Sequence, residues 1–273
     1  DFLGQEVAAA VSKVNHQKFT IKADAFVGNN MCSLKIRVYM QEQGSYAVEF
    51  QPRNGDRRTF RATYQKASRW LGLHFASVPH AHEPAAGLAA AAELPLPPAC
   101  ADTGMMEARP LLDMAGREDR PDLQAEAAAA LADTAGQDSR TAAALCTAEA
   151  FQEFKVLLMA DQLNIAYPTA RLLTLLAQCP EAKQHFADAA LLVTIIGKVQ
   201  DGKVAALAQK QFAQSLTSAI SRCVSALTEE DIESVSSALS KAARSTDVAD
   251  ATVQRALQEA LRKLKCQCPR SSA

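Results

Sequence analysis

Two stretches of this chain repeat one another in the order of their parts. AEAAAALADTAGQDSRTAAALCTAEAFQEFKVLL and YPTARLLTLLAQCPEAKQHFADAALLVTIIGKV each read as a helix ending on a small residue, Ala135 or Ala177. Each continues with a short polar turn, a second short helix, a turn at an acidic residue (Glu149 or Asp188) and an apolar helix. The two alanines lie 42 residues apart. A period of about 40–47 residues holding two or three helices marks units that cannot bury their apolar faces alone and must stack on their neighbours. A weaker third copy runs through SLTSAISRCVSALTEEDIESVSSALSK, where Thr228 and Asp231 have the spacing of a capping box. A last helix is expected over residues 247–265, before Pro269.

The repeats occupy only the second half. Between residues 74 and 121 the chain is interrupted by Pro79, Pro84, Pro95, Pro97, Pro98, Pro110 and Pro121, with alanine-rich pieces between them. This composition predicts a largely disordered linker with one short helix near 84–93. Before it, residues 1–73 change pattern. Leu3, Val7, Ala10, Val11 and Val14 fall at helical spacing and predict a helix over 2–15. KFTIKA, over 18–23, alternates as a strand, and Gly28, Asn29 and Asn30 supply a turn. Over 31–40, Leu34, Ile36, Val38 and Met40 point one way and Lys35, Arg37 and Tyr39 the other. Gly44 closes a hairpin to a strand over 45–51, Asn54-Gly55 signals a turn, and a helix follows over 58–72 with Phe60, Tyr64, Ala67 and Leu71 as its apolar stripe. The expected fold class is therefore an α+β head (helix, antiparallel sheet, helix) over 1–73, the linker over 74–121, and an all-α array over 122–268.

Charge divides along the same line. Residues 1–73 hold 11 Lys+Arg against 6 Asp+Glu, while the rest hold 18 against 24, so a net −1 conceals a basic head and an acidic body. Such asymmetry predicts an anionic partner for the head. The 7 cysteines are odd in number and scattered, which excludes a disulfide framework and predicts a reducing compartment. No apolar run reaches about 18 residues, so no transmembrane segment is expected. The start at Asp1, without an initiator Met or a basic flank, predicts a fragment of a longer protein rather than a signal peptide. No G-x-S-x-G, H-E-x-x-H, Walker loop or G-x-G-x-x-G occurs, nor any of the kinase motifs, so no catalytic residues and no cofactor are assigned.

Two resemblances follow from the quoted residues. LLTLLAQCPEAKQHFADAALLVTIIGKV resembles an armadillo repeat, and the likeness extends over about residues 122–245; a HEAT-type array or a plain helical bundle stays open. EVAAAVSKVNHQKFTIKA, CSLKIRVYMQEQGSYAVEFQPRNGD and FRATYQKASRWL are similar, in that order, to the opening helix and strand, the long hairpin and the closing helix of the kinase-associated domain found at the C-termini of AMP-activated and related Ser/Thr kinases. That resemblance implies binding of acidic phospholipid headgroups, packing on a kinase, or docking of regulatory subunits, while a solenoid after such a domain departs from the usual kinase layout. The chain is accordingly expected to be a non-catalytic regulatory or scaffold region, cytoplasmic or peripheral to a membrane, whose head meets an acidic membrane surface or a kinase domain and whose array binds a protein partner. The alternatives are the C-terminal regulatory part of a Ser/Thr kinase and a purely structural adaptor.

The candidate anion- or lipid-binding residues are Lys35, Arg37, Arg53, Arg57, Arg58, Arg61, Lys66 and Arg69. Against them stands a solvated face in which Glu49 and Asp56 pair locally. Nucleic acid is disfavoured because only Tyr39 is placed to stack on a base. His74, His80 and His82 lack further metal ligands beyond Glu83, and Cys266 and Cys268 lie too close together for a zinc knuckle. Glu229, Glu230 and Asp231 suit a helix N-terminus, and Cys146, Cys179 and Cys223 suit buried structural thiols.

Overall fold

A computed structural model describes residues 2–41, 45–75, 104–137, 139–245 and 250–266. The chain divides into two compact units, Asp1–Val27 with Met31–Thr103, and Gly104–Ala273 with Gly28–Asn30.

The first unit is built as helix α1 (Phe2–Gln5), strands β1 (Ala8–Asn15), β2 (Thr20–Val27), β3 (Asn30–Met40) and β4 (Tyr46–Gly55), and helix α2 (Arg57–His74). The strands form one antiparallel sheet in the order β1-β2-β3-β4. Its inward face buries Ala23, Ala25, Cys32, Leu34 and Ile36, with Leu3 and Val7 from the N-terminal segment. Helix α2 covers this face with Thr59, Thr63 and Ala67. Small residues on both sides allow the close approach. The threonine hydroxyls are satisfied locally, Thr59 donating to Asp56 at 2.8 Å and Thr63 to the Thr59 carbonyl at 2.8 Å. Asp56 also caps the helix, accepting from the Thr59 N–H at 2.7 Å.

Several expectations are corrected here. The helix predicted over 2–15 stops at Gln5, and Ala8–Asn15 is a strand. Its helical spacing is overridden by pairing with β2, Ala9 opposite Ala25, Val11 opposite Ala23 and Val14 opposite Ile21. Asn54-Gly55 is not a turn. Both residues pair within the sheet, with Ser33 and Cys32, and Arg53 is the extra residue of a bulge opposite Ser33 and Leu34. Gly55 has φ +93°, the left-handed conformation its sequence signal reflects. The α2 stripe is rotated from the expected one: Tyr64 is exposed and Phe60 and Leu71 are only partly covered. Gly44 and the expected helix near 84–93 lie outside the described residues.

The second unit begins before the boundary expected at 122. Helix α3 (Gly104–Ala115) buries Ala108, Leu112 and Ala115, so the end of the predicted linker belongs to the helical region. There follow α4 (Pro121–Gln137), α5 (Ser139–Ala144), α6 (Ala148–Met159), α7 (Leu163–Leu176), α8 (Lys183–Phe186), α9 (Ala189–Gln200), α10 (Ala206–Cys223), α11 (Glu229–Arg244) and α12 (Ala251–Cys266). Helix α4 packs on α7, α7 on α10 and α10 on α12, while α6 packs on α9 and α9 on α11. N-caps recur at Thr147, Asp188 and Thr228, the last within the expected capping box with Asp231. Bonds between helices also recur at sequence separations of 37–39: His185 with the Cys146 carbonyl, Gln211 with Thr174, and Lys198 with Met159, Ala160 and Asp161.

Two outcomes are expected in urea unfolding. Gly55→Ala places a Cβ against the Met31 carbonyl oxygen and 2.9 Å from the Cys32 Cα, and should cost roughly 1–3 kcal/mol through backbone strain. Lys198→Ala removes the donor that satisfies two carbonyls at the end of α6, at 3.1 and 3.3 Å, and should cost about 1–3 kcal/mol. An unchanged midpoint in either variant would contradict the role given to that residue.

A candidate anion-binding face

Strand alternation turns Lys35, Arg37 and Tyr39 of β3 away from α2, because Leu34 and Ile36 between them are buried under it. The β4 residues opposite are Gln51, Glu49 and Ala47. On β2 the same alternation turns Lys22 and Asp24 outward between buried Ala23 and Ala25, and Lys13 of β1 pairs with Lys22. Lysines on three of the four strands therefore share the sheet face opposite α2. Arg53 joins them from the bulge and Lys18 from the turn between β1 and β2.

The cations act on one another. Partial burial, followed by the positive charges of Arg37, Arg53, Lys22 and Lys18, holds the Lys35 ammonium below the ordinary lysine value. Local pairing offsets only part of this field. Tyr39 donates to Glu49 at 2.7 Å and accepts from the Arg37 guanidinium at 3.2 Å, and Gln51 donates to Glu49 at 2.7 Å. The Tyr39 and Gln51 hydrogen bonds hold the Glu49 carboxyl below its usual range. Asp24 accepts from Ser33 at 2.5 Å. The Tyr39 hydroxyl, whose ring was the only candidate for stacking on a base, is thus tied into the network.

The eight residues singled out from sequence do not form one patch. Lys35, Arg37 and Arg53 lie with the outward sheet face. Arg57, Arg58, Arg61, Lys66 and Arg69 are exposed on α2, which packs on the opposite face. Lys13, Lys18 and Lys22 were missed. The alternation in KFTIKA signalled which way Lys22 points, but only the strand pairing brings it beside Lys35. Arg57 and Arg58 occupy the first turn of α2, where cations oppose the helix dipole. Asp56, expected to pair with arginines, serves mainly as the cap, and its carboxyl is lowered first by the Thr59 hydrogen bonds.

Elsewhere the described residues offer little chemistry. His74 hydrogen-bonds the Trp70 carbonyl at 2.8 Å and stacks on its ring, while His80 and His82 lie outside the described residues. Among the described residues no cluster of three or more His, Cys, Asp or Glu could hold a metal ion. Cys266 is exposed at the end of α12 and Cys268 is not described. Burial pushes the Cys146 thiol up to about 12 and the Cys223 thiol up to about 11, which makes them poor nucleophiles. Cys179 is partly exposed, and its thiol is likewise raised by burial. Glu229, Glu230 and Asp231 fill the first turn of α11. No described helix is long and apolar enough to cross a membrane.

If the sheet-face cations share one field, Arg37→Gln combined with Arg53→Gln should raise the Lys35 titration followed by NMR of its labelled ε-carbon; an unmoved midpoint would show that they do not. Comparisons with family models, curated proteins and solved structures find no match to this chain.

Proposed function

We propose that this chain is a non-catalytic regulatory or scaffold region whose head docks on an anionic membrane surface through the outward face of its sheet. The observation that carries this reading is the placement of Lys13, Lys22 and Lys35 on three strands of the sheet face opposite α2, with Arg37 and Arg53 beside them. Like charges set together across strands disfavour the sheet, and an anionic ligand would remove that penalty. The helix, antiparallel sheet, helix order also accords with the proposed kinase-associated resemblance, although the first helix is a single turn. Each cation near an anionic bilayer contributes about 1 kcal/mol, so five together give on the order of 5 kcal/mol, equivalent to a dissociation constant on the order of 0.1 mM. Such binding is weak and falls steeply with salt.

The helical region is proposed to be an armadillo- or HEAT-like solenoid that binds a protein partner. Support comes from the recurring caps at Thr147, Asp188 and Thr228 and from the bonds between helices at separations of 37–39 residues. Gln200, Ser237, Ser240, Lys241, Arg244 and Ser245 line an open depression on this unit, where hydroxyls and cations could receive an acidic segment.

Sedimentation with phosphatidylserine-containing vesicles tests the head in the full chain. Binding at low salt that disappears at high salt is expected. Lys35→Glu with Arg37→Glu should weaken it by roughly tenfold or more, since each reversal removes and opposes about 1 kcal/mol. Arg58→Glu with Arg61→Glu should weaken it less, because these residues face away from the sheet surface. Equal loss in both variants would show that net charge and not the sheet face governs binding, and a larger loss in the second would move the site to α2. Absence of binding to anionic vesicles at low salt would sink the lipid reading and leave docking on an acidic protein surface, such as a kinase, as the role of this face.

A further inference from the structure

The inward face of the β3–β4 hairpin is longer than the helix that covers it. Leu34 and Ile36 lie beneath α2, at 1% and 7% exposure. Beyond Ile36 and its partner Phe50 the same face continues as Val38 opposite Val48 and Met40 opposite Tyr46. These four are exposed at 36%, 37%, 76% and 67% respectively. Phe19, in the turn between β1 and β2, accepts the Val38 N–H through its carbonyl at 3.0 Å and is 68% exposed. Its φ of +44° is unusual for a bulky residue. Val14, opposite Ile21 on the same face, is also exposed. One end of the sheet therefore presents six apolar side chains to water. Clusters of this kind on a soluble domain mark interaction surfaces.

Charge identifies the occupant. Lys18 adjoins Phe19 in sequence, and Lys35 and Arg37 stand on the reverse of the strand that carries Val38 and Met40. Glu49, the acidic group nearest in β4, is already engaged by Tyr39 and Gln51. An anionic bilayer that meets this end of the sheet offers headgroups to Lys18, Lys35 and Arg37 and an apolar interior to the side chains at the strand ends. Met and aromatic side chains suit this depth, since they bury apolar area while the Tyr46 hydroxyl stays among the headgroups. We propose that the Phe19, Met40 and Tyr46 end of the sheet inserts into the outer part of an anionic bilayer and orients the head, with the sheet-face cations holding the headgroups. This rests on the anionic-surface reading of the head and adds the apolar contact that charge pairing alone would lack.

The test uses the full chain and phosphatidylcholine vesicles with and without phosphatidylserine. Phe19→Ser, Met40→Ser and Tyr46→Ser together alter only exposed side chains, and circular dichroism checks that the fold persists. The triple variant should bind anionic vesicles roughly tenfold or more weakly and lose its ability to raise the pressure of a lipid monolayer. In a Trp70→Phe background, the indole introduced by Tyr46→Trp should be quenched by lipids brominated on the acyl chains. If vesicle binding responds to Lys35→Glu with Arg37→Glu but not to the triple variant, and no quenching is seen, the anionic-surface reading stands and insertion is overturned. If the unaltered chain ignores anionic vesicles altogether, the underlying reading fails with it. If instead the chain dimerises in sedimentation velocity and only the triple variant is monomeric, with vesicle binding unchanged, this end is a self-association face and the proposal is wrong.

Discussion

Burial of one sheet face under a single helix sets the layout of the head. Thr59, Thr63 and Ala67 of α2 can approach Ala23, Ala25 and Cys32 closely because none of these side chains is large. The apolar area removed from water at this contact holds the four strands and α2 together. Its reach is limited. The helix leaves the strand ends near Met40 and Tyr46 uncovered, and it lies on the side of the sheet opposite Lys22, Lys35 and Arg37. The cationic face and the exposed apolar end both follow from that one incomplete cover.

The helical region solves burial differently. Alanine and leucine fill most of its interior, and Phe154, Phe186 and Phe212 are its largest fully buried side chains. Phe151 packs edge-on to Phe154 and Phe186 and stacks on His185. The His185 ring also hydrogen-bonds the Cys146 carbonyl, and Lys155 pairs with Asp188 at 2.7 Å. Asp188 thus caps its helix and bonds to Lys155 of α6. Burial alone would raise its carboxyl, but the Lys155 ammonium and the helix N–H groups more than offset this and hold it below the usual value. Polar groups placed where helices meet fix how they pack, which apolar contacts alone specify weakly.

Much of this was legible in the sequence. The capping box at Thr228 and the β3–β4 alternation rest on interactions within a few residues or on simple periods, and the structure contains them. The misreadings share a cause. Ala8–Asn15 has helical spacing and alanine propensity, yet it pairs along β2. Asn54-Gly55 has the composition of a turn, yet its backbone freedom is used in a bulge. Helix α3 contains Pro110 within a proline-rich stretch, yet Ala108, Leu112 and Ala115 are buried. In each case a contact distant in sequence outweighed a local preference of a kilocalorie or so.

The candidate site divides the same way. Sequence alone determined that the head is basic, that Lys35 and Arg37 share a side of one strand, and that arginines line the second helix, because these depend on composition and on periods of 2 and 3.6 residues. Only the tertiary structure decided that the helix and sheet cations face apart, that Lys13 and Lys22 join Lys35, and that Val38, Met40, Tyr46 and Val48 stay exposed on a face expected to be covered. Which strands pair, and how far a helix extends over them, is set by the balance of burial over the whole unit, and no local pattern encodes that balance.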